Sequence, residues 1–145
     1  MSLRDLCKFS YIKLNNKKIK RDMAGIRRIV PNIYSDQLEA TKVFYLDFLG
    51  MEEAMDLGWI MTFVSKENPL AQINIFEHEG GLPVNNEAVF MSVEVSDVDG
   101  MYRKAKQFQY AIVYDIRDES WGVRRFFVKD PNGATLNILS HLPGK

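Results

Sequence analysis

Few ionisable groups in this sequence could perform acid–base or metal chemistry. The two histidines, His78 and His141, each follow a predicted strand. Because a catalytic metal site usually needs three protein ligands, these two favour strand-end hydrogen bonds, with a shared metal site as the alternative. Glu94 is a candidate catalytic carboxylate because it lies on the polar face of a predicted strand. The sequence contains no G-x-S-x-G nucleophile motif and no glycine-rich phosphate loop.

Aromatic and guanidinium side chains point instead to the binding of a small molecule. Trp121 follows a charged loop and precedes Gly122, a position that favours stacking on a ligand. Trp59 is equally compatible with a ligand contact or a core position. Arg124 and Arg125 lie on opposite faces of a strand, so one of them can enter a cavity and bind a carboxylate or phosphate, unless both are solvated. We assign Arg124 to the candidate site.

The elements that position these residues belong to one domain. The chain has 145 residues and a mass of 16.8 kDa, with 46% hydrophobic and 26% charged residues, a composition typical of globular domains. The single cysteine, Cys7, excludes a disulfide within the chain. There is no apolar signal core and no stretch of about 18 apolar residues, so we expect a cytoplasmic protein with no membrane contact.

Charge is distributed unevenly along the chain. Residues 1–22 carry seven basic and two acidic side chains, whereas residues 23–145 carry 12 basic and 17 acidic ones. We interpret residues 1–25 as a basic extension without a role in the chemistry. The acidic remainder argues against nucleic-acid binding by the main domain and favours a cationic ligand.

An internal repeat organises residues 26–141 into two modules, 26–80 and 87–141. The segment 71–78 aligns with 134–141 at an offset of 63 residues, and an Asx-Pro turn precedes each. Ser35-Asp36 and Ser96-Asp97 are predicted helix caps, and Gly50 is a predicted helix stop. Strands are predicted at 26–34, 59–64, 71–76, 88–95, 111–115, 123–128 and 135–139. The order predicts an α+β fold in which two tandem βαβββ modules form a curved mixed sheet around a cavity.

This arrangement resembles the glyoxalase / bleomycin-resistance / ring-cleaving dioxygenase superfamily, also called the vicinal-oxygen-chelate fold. The resemblance covers residues 26–141. Residues 38–51 resemble the family's first helix with its "FY…LG" ending, 93–99 its second strand-to-helix turn, and 121–133 its last hairpin.

In the metal enzymes of that family, four inward-facing His, Glu or Gln side chains hold one divalent ion. The resemblance puts these positions at Val30 (or Ile29, with a shifted register), Asn74, Phe90 and Asn137. Val and Phe have no donor atom, and a neutral amide is a poor ligand for a catalytic transition metal. The resemblance therefore implies the family's scaffold without its usual metal ligands, and we expect no metal and no cofactor.

Strand alternation predicts the lining of the cavity. Phe90, Ser92 and Glu94 share one strand face, while the other face is entirely apolar and should pack on helices. The same parity turns amide and aromatic side chains of the other strands inward, as is usual for a small-molecule pocket. The candidate ligand-binding residues are Asn32, Tyr34, Trp59, Asn74, Phe90, Trp121, Arg124 and Asn137.

Three functions remain open at this point. The first is a metal-free binding protein that sequesters an aromatic or cationic molecule, such as an antibiotic, as a homodimer with pockets between protomers. The second is an enzyme, either a glyoxalase-like lyase or dioxygenase with a relocated metal, or a metal-free catalyst using Glu94 or a histidine. The third is the ligand-sensing domain of a regulator, because fold alone does not fix activity.

Overall fold

The computed structural model describes residues 25–81 and 83–144. The predicted basic extension lies outside these residues except for Gly25. The first module contains β1 (Asn32–Ser35), α1 (Leu38–Lys42), a continuing π-helical segment (Val43–Phe48), β2 (Glu52–Asp56), β3 (Ile60–Val64) and β4 (Gln72–Glu77). The second contains β5 (Phe90–Glu94), α2 (Val98–Gln107), β6 (Ile112–Asp118), β7 (Val123–Lys129) and β8 (Thr135–His141). Neither helix is long and apolar enough to cross a membrane.

The strands form two four-stranded sheets with the same order in each module. The first sheet runs β1-β4-β3-β2 and the second runs β5-β8-β7-β6. In both, the opening and closing strands pair in parallel and the remaining pairs are antiparallel. The predicted α+β fold of tandem βαβββ modules is therefore confirmed.

The first module differs from its predicted elements at two strands. β1 begins at Asn32 rather than at residue 26, because Pro31 has no amide hydrogen to donate and residues 26–29 are exposed. Ile29 and Val30 consequently lie outside the strand. Sequence patterning did not locate β2, because all of its residues are exposed and carry no apolar alternation.

The two helices begin differently, although their preceding sequences are alike. Asp97 caps α2 as predicted, since its Oδ1 accepts a hydrogen bond from the Gly100 amide at 2.8 Å. The helix cap predicted at Ser35-Asp36 is wrong. Gln37 occupies the N-cap position of α1, and its side chain makes no capping hydrogen bond. The backbone amide of Gln37 donates a hydrogen bond to the hydroxyl of Ser35, at 3.0 Å, and Ser35 is the buried last residue of β1.

One apolar core serves both modules. The π-helical segment buries Phe44, Tyr45 and Phe48. Phe44 and Phe48 contact the ring of Tyr110, from the second module, at centroid distances of 4.9 and 5.2 Å. The helix-covered faces of both sheets therefore pack into the same interior, to which β7 and β8 contribute Phe126, Val128, Leu136 and Ile138.

A buried polar network joins the modules inside this core. The Tyr45 hydroxyl donates to Asp130 Oδ2 at 2.8 Å, and Asn132 Nδ2 donates to the Thr41 hydroxyl at 3.0 Å. From the connection between modules, Asn86 Nδ2 donates to the backbone oxygens of Tyr34 and Asn132. Side chains separated by 85 to 91 residues in sequence are thus fixed against one another.

Burial shifts the ionisation of the central pair. It raises the pKa of Asp130, against the opposing effect of the hydrogen bonds donated by Tyr45 and by the amides of Ala134 and Asn132. The pKa of Tyr45 is also raised well above its ordinary value, first by burial and then by the neighbouring Asp130 carboxyl.

The raised pKa of Asp130 makes a testable contribution to stability. A raised folded-state pKa gives stability that is complete below the unfolded value of 3.8 and is lost as pH rises through the folded value. The free energy of unfolding of the wild type minus that of Asp130→Asn should therefore fall as pH rises from about 4 to 8. Urea denaturation at several pH values measures this difference.

Asp56→Asn supplies a control of opposite sign. The hydrogen bond from Lys42 lowers the pKa of Asp56, so its contribution is present at neutral pH and is lost as pH falls. The free energy of unfolding of the wild type minus that of Asp56→Asn should therefore rise with pH. A pH-independent difference for Asp130 would contradict the account of the buried pair.

Candidate ligand-binding faces

Each sheet has one face covered by helices and one face that the described residues leave open. We call the open face of the first sheet face one, with Asn32, Tyr34, Thr62, Asn74 and Phe76, and that of the second sheet face two, with Phe90, Ser92, Tyr114, Arg125, Phe127 and Asn137. The predicted alternation is seen in β5, where Phe90, Ser92 and Glu94 are exposed and the residues between them are half-buried.

Side-chain amides form a ladder across face one. The parallel register of β1 and β4 places Asn32 beside Asn74, and Asn74 Nδ2 donates to Asn32 Oδ1 at 3.0 Å. From the other side, the Thr62 hydroxyl donates to Asn74 Oδ1 at 2.7 Å. The ladder uses both ends of the Asn74 carboxamide. Asn32, at the exposed edge, is the member whose Nδ2 keeps both of its hydrogens for another molecule.

Aromatic rings surround this ladder. Phe76 lies between Tyr34 and Trp59, with centroid distances of 6.1 and 6.0 Å, and His78 meets Tyr34 edge-on at 6.3 Å. Tyr34 and Trp59 remain 59% and 52% exposed, so their rings are available for contact with another molecule. Trp59 is thus not a core residue in this chain.

On face two, rings pack around a buried amide. Phe127 stacks on Tyr114 at 4.5 Å and meets Phe90 edge-on at 5.1 Å. Beside Phe127 in the register, Asn137 is only 5% exposed. Its Nδ2 donates to the Ser92 hydroxyl at 3.0 Å, but its Oδ1 finds no hydrogen-bond partner among residues 25–81 and 83–144.

The most structured cluster on face two is centred on Arg125. Arg125 Nε donates to Glu119 at 2.9 Å, and the Tyr114 hydroxyl donates to the same carboxylate. The guanidinium carbon lies 4.9 to 5.3 Å from the ring centroids of Phe127, Trp121 and Tyr114. The Tyr114 hydrogen bond, followed by Arg125, holds the pKa of Glu119 below its usual range, so the carboxylate is ionised at neutral pH.

Arg124 is not brought together with the other candidate residues. It pairs with Asp99 of α2 at 3.1 Å and with Asp118 at 2.8 Å, while Arg125 faces the aromatic rings. The sequence analysis assigned Arg124 to the site, but the structure places Arg125 beside the rings instead. Sequence reasoning also missed Tyr114, Phe127 and Glu119. Phe127 was identifiable because it shares the strand parity of Arg125, whereas bulges between β6 and β7 hide the parity of Tyr114.

The remaining candidates for chemistry lie apart from this cluster. Glu94 Oε1 is 2.9 Å from His141 Nδ1, and both side chains are exposed. His78 instead contacts Tyr34 on face one. Within the described part of the chain, no group of three or more His, Cys, Asp or Glu residues is placed to hold a metal ion.

Comparison with known proteins now decides the family. The sequence model of the Glyoxalase/Bleomycin resistance protein/Dioxygenase superfamily matches residues 25–138. The chain belongs to this superfamily. A search of proteins with curated functions gives no significant match.

Solved structures show the same fold in distant relatives. A protein of unknown function from Agrobacterium tumefaciens is 20% identical, with a TM-score of 0.67 over 83% of this chain and 98% of that one. A glyoxalase/bleomycin resistance protein/dioxygenase from Nocardioides is 18% identical, with a TM-score of 0.63 over 91% and 95%. A bleomycin resistance determinant encoded on the transposon Tn5 is 18% identical, with a TM-score of 0.62 over 80% and 98%.

The side chains present do not fit the divalent ion that metal enzymes of the superfamily hold. Val30 precedes β1 and, like Phe90, has no donor atom. Of the two remaining positions, Asn74 Oδ1 already accepts a hydrogen bond from Thr62, which leaves Asn137 Oδ1 as the one amide oxygen without a partner among the described residues. One neutral oxygen does not hold a catalytic metal.

The unpaired oxygen of Asn137 predicts an unusual response to substitution. Asn137→Leu removes a buried acceptor that has no partner and one hydrogen bond to Ser92, an exposed residue whose hydroxyl water can satisfy. The free energy of unfolding should therefore stay within about 1 kcal/mol of the wild type or rise. Asn86→Leu, the matched control, removes two buried hydrogen bonds and should cost about 1–3 kcal/mol. Urea denaturation of both variants tests this, and an equal loss in both would show that Asn137 is a structural residue.

Proposed function

We propose that this protein binds a small planar molecule without a metal, in cavities that two copies of the chain form together. The role that this supports best is sequestration of an antibiotic or similar compound in the cytoplasm. The observation that carries the proposal is the exposure of large rings on both open faces. Tyr34 and Trp59 on face one, and Phe90 (57%) and Trp121 (62%) at face two, have no cover among the described residues.

A single open face is a poor site for a small molecule. Pockets bury most of a ligand's surface, which requires two walls. The two faces of one chain do not supply both walls, because the opposite sides of the two sheets share a single core. Face one of one copy and face two of a second copy together provide two ring-lined walls. This pairing would explain why large rings are exposed on both faces.

The uncharged amide groups on these faces can orient a bound ligand by hydrogen bonding. Asn32 offers amide hydrogens and Asn137 offers a carbonyl oxygen, while the rings supply contact area. Aromatic stacking adds about 0.5–1.5 kcal/mol per pair beyond area burial, and net hydrogen bonds about 1 kcal/mol each. Membership in a superfamily that includes a bleomycin resistance determinant supports binding as the function.

One observation supports a second candidate, metal-free acid–base catalysis. The Glu94–His141 pair is a carboxylate–imidazole pair on the same side of the second sheet as the rings. Such a pair can move a proton to or from a bound molecule. Conversion of a bound compound that disappears in His141→Gln, with binding retained, would identify this activity.

The dimer is tested by placing a charge in each open face. Wild-type protein should sediment at twice the chain mass of 16.8 kDa. Tyr34→Lys or Phe90→Lys should shift it to the monomer mass, because a buried unpaired charge opposes association. Leu70→Lys is the matched control, since Leu70 is 64% exposed but lies in a loop away from both faces. A monomeric wild type, or an equal effect of Leu70→Lys, would contradict the proposed cavity.

A further inference from the structure

Arg125 is positioned to recognise one particular functional group on a ligand. We infer that face two binds a planar aromatic carboxylic acid, whose carboxylate pairs with the guanidinium of Arg125 and whose ring lies against the neighbouring rings. This inference rests on the proposed binding function and adds the chemical class of the ligand.

The protein holds the Arg125 side chain by one edge and leaves the other edge unpaired. Nε donates to Glu119, which is fixed in turn by the Tyr114 hydroxyl. Within the described part of the chain, only Nε of Arg125 makes a hydrogen bond of good geometry, and the side chain is 20% exposed, so the two Nη groups can receive a ligand. A carboxylate presents two oxygens at the spacing of these two nitrogen atoms, so the pair can be bidentate.

Rings frame this guanidinium on several sides. Phe127 and Tyr114 stack nearly parallel, at 22°, and Trp121 lies 5.0 Å from the guanidinium carbon. Trp121 is largely exposed, so one of its faces is free to stack on a ligand ring. A flat ligand that carries its anionic group at the edge would satisfy the rings and the Nη groups together.

Local charge also favours an anion, in contrast to the acidic composition of the whole domain. Arg117 lies over Tyr114 with its guanidinium carbon 4.2 Å from the ring centroid. Glu119 therefore faces two arginines. Glu94, the other carboxylate on this face, lies beyond Leu139 in the register and pairs with His141. In physiological salt, charges are screened over about 8–10 Å. The two arginines beside the site therefore affect a bound ligand more strongly than the distant acidic residues do.

A matched set of probes tests the inference. 2-Naphthoate, 2-naphthamide and 2-naphthylmethylammonium share one ring system and differ in charge. Isothermal titration calorimetry of the full chain should show 2-naphthoate binding at least about tenfold more tightly than either of the others. Arg125→Gln should reduce the affinity for naphthoate to that for the amide, and Arg125→Lys should give an intermediate loss because the planar fork is gone.

Two further variants separate recognition from structural support. Arg124→Gln alters the adjacent arginine, which is held by Asp99 and Asp118, and should leave naphthoate affinity unchanged. Glu119→Gln keeps an acceptor for Arg125 and Tyr114 but removes the competing negative charge, so naphthoate affinity should rise severalfold. Loss of a structural support would not increase affinity.

The outcomes distinguish this inference from the proposed function. Tighter binding of the ammonium probe, equal binding of all three, or no binding of naphthoate would overturn the carboxylate assignment. In the first two cases, loss of binding in Trp121→Ala would leave the small-molecule function standing. If no probe binds and the wild type is also monomeric, both proposals fail.

Discussion

The hydrogen bond between Tyr45 and Asp130 is the interaction on which the rest of the arrangement depends. It links the helical segment of the first module to the turn between β7 and β8 of the second, and both residues are buried. With Asn86 and Asn132 it fixes the two modules by their helix-covered sides. The open faces must then turn away from each other, and a closed cavity requires a second copy of the chain.

This constraint connects the fold with the chemistry of the faces. A protein of this superfamily with four strong donors could hold a metal in its cavity, but here the corresponding strands carry amides that hydrogen-bond to one another or to hydroxyls. Such groups orient a ligand without activating it. On face two, Arg125 is restrained by a carboxylate and three rings, which suits recognition of a planar partner.

Much of the fold could be predicted because short sequence patterns indicate its repeated elements. The repeated Asx-Pro turn followed by similar closing strands revealed the two modules, and the period-two alternation of Phe90, Ser92 and Glu94 identified an open face. β2 could not be predicted, since its exposed acidic residues owe their strand conformation to pairing with β3. The cap predicted at Ser35-Asp36 was wrong because Ser35 ends β1 and α1 begins later, with Gln37 at the N-cap position.

The candidate site was less accessible to sequence reasoning than the fold. Strand alternation showed that Arg124 and Arg125 lie on opposite faces of β7. Only the tertiary structure shows that Arg124 lies on the side of α2, where it pairs with Asp99, and that Arg125 lies on the open face. Tyr114 and Glu119 join the site through a bulged strand pair and a loop. The Tyr45–Asp130 contact spans 85 residues and leaves no local signal.

Cross-linking between copies tests the central claim most directly, that the site forms from face one of one chain and face two of another. In a Cys7→Ser background, Tyr34→Cys places a single thiol on face one and Trp121→Cys places a single thiol at face two. A short bismaleimide should cross-link a mixture of the two variants efficiently and either variant alone poorly. Efficient cross-linking of one variant to itself, or no cross-linking in the mixture, would contradict the account.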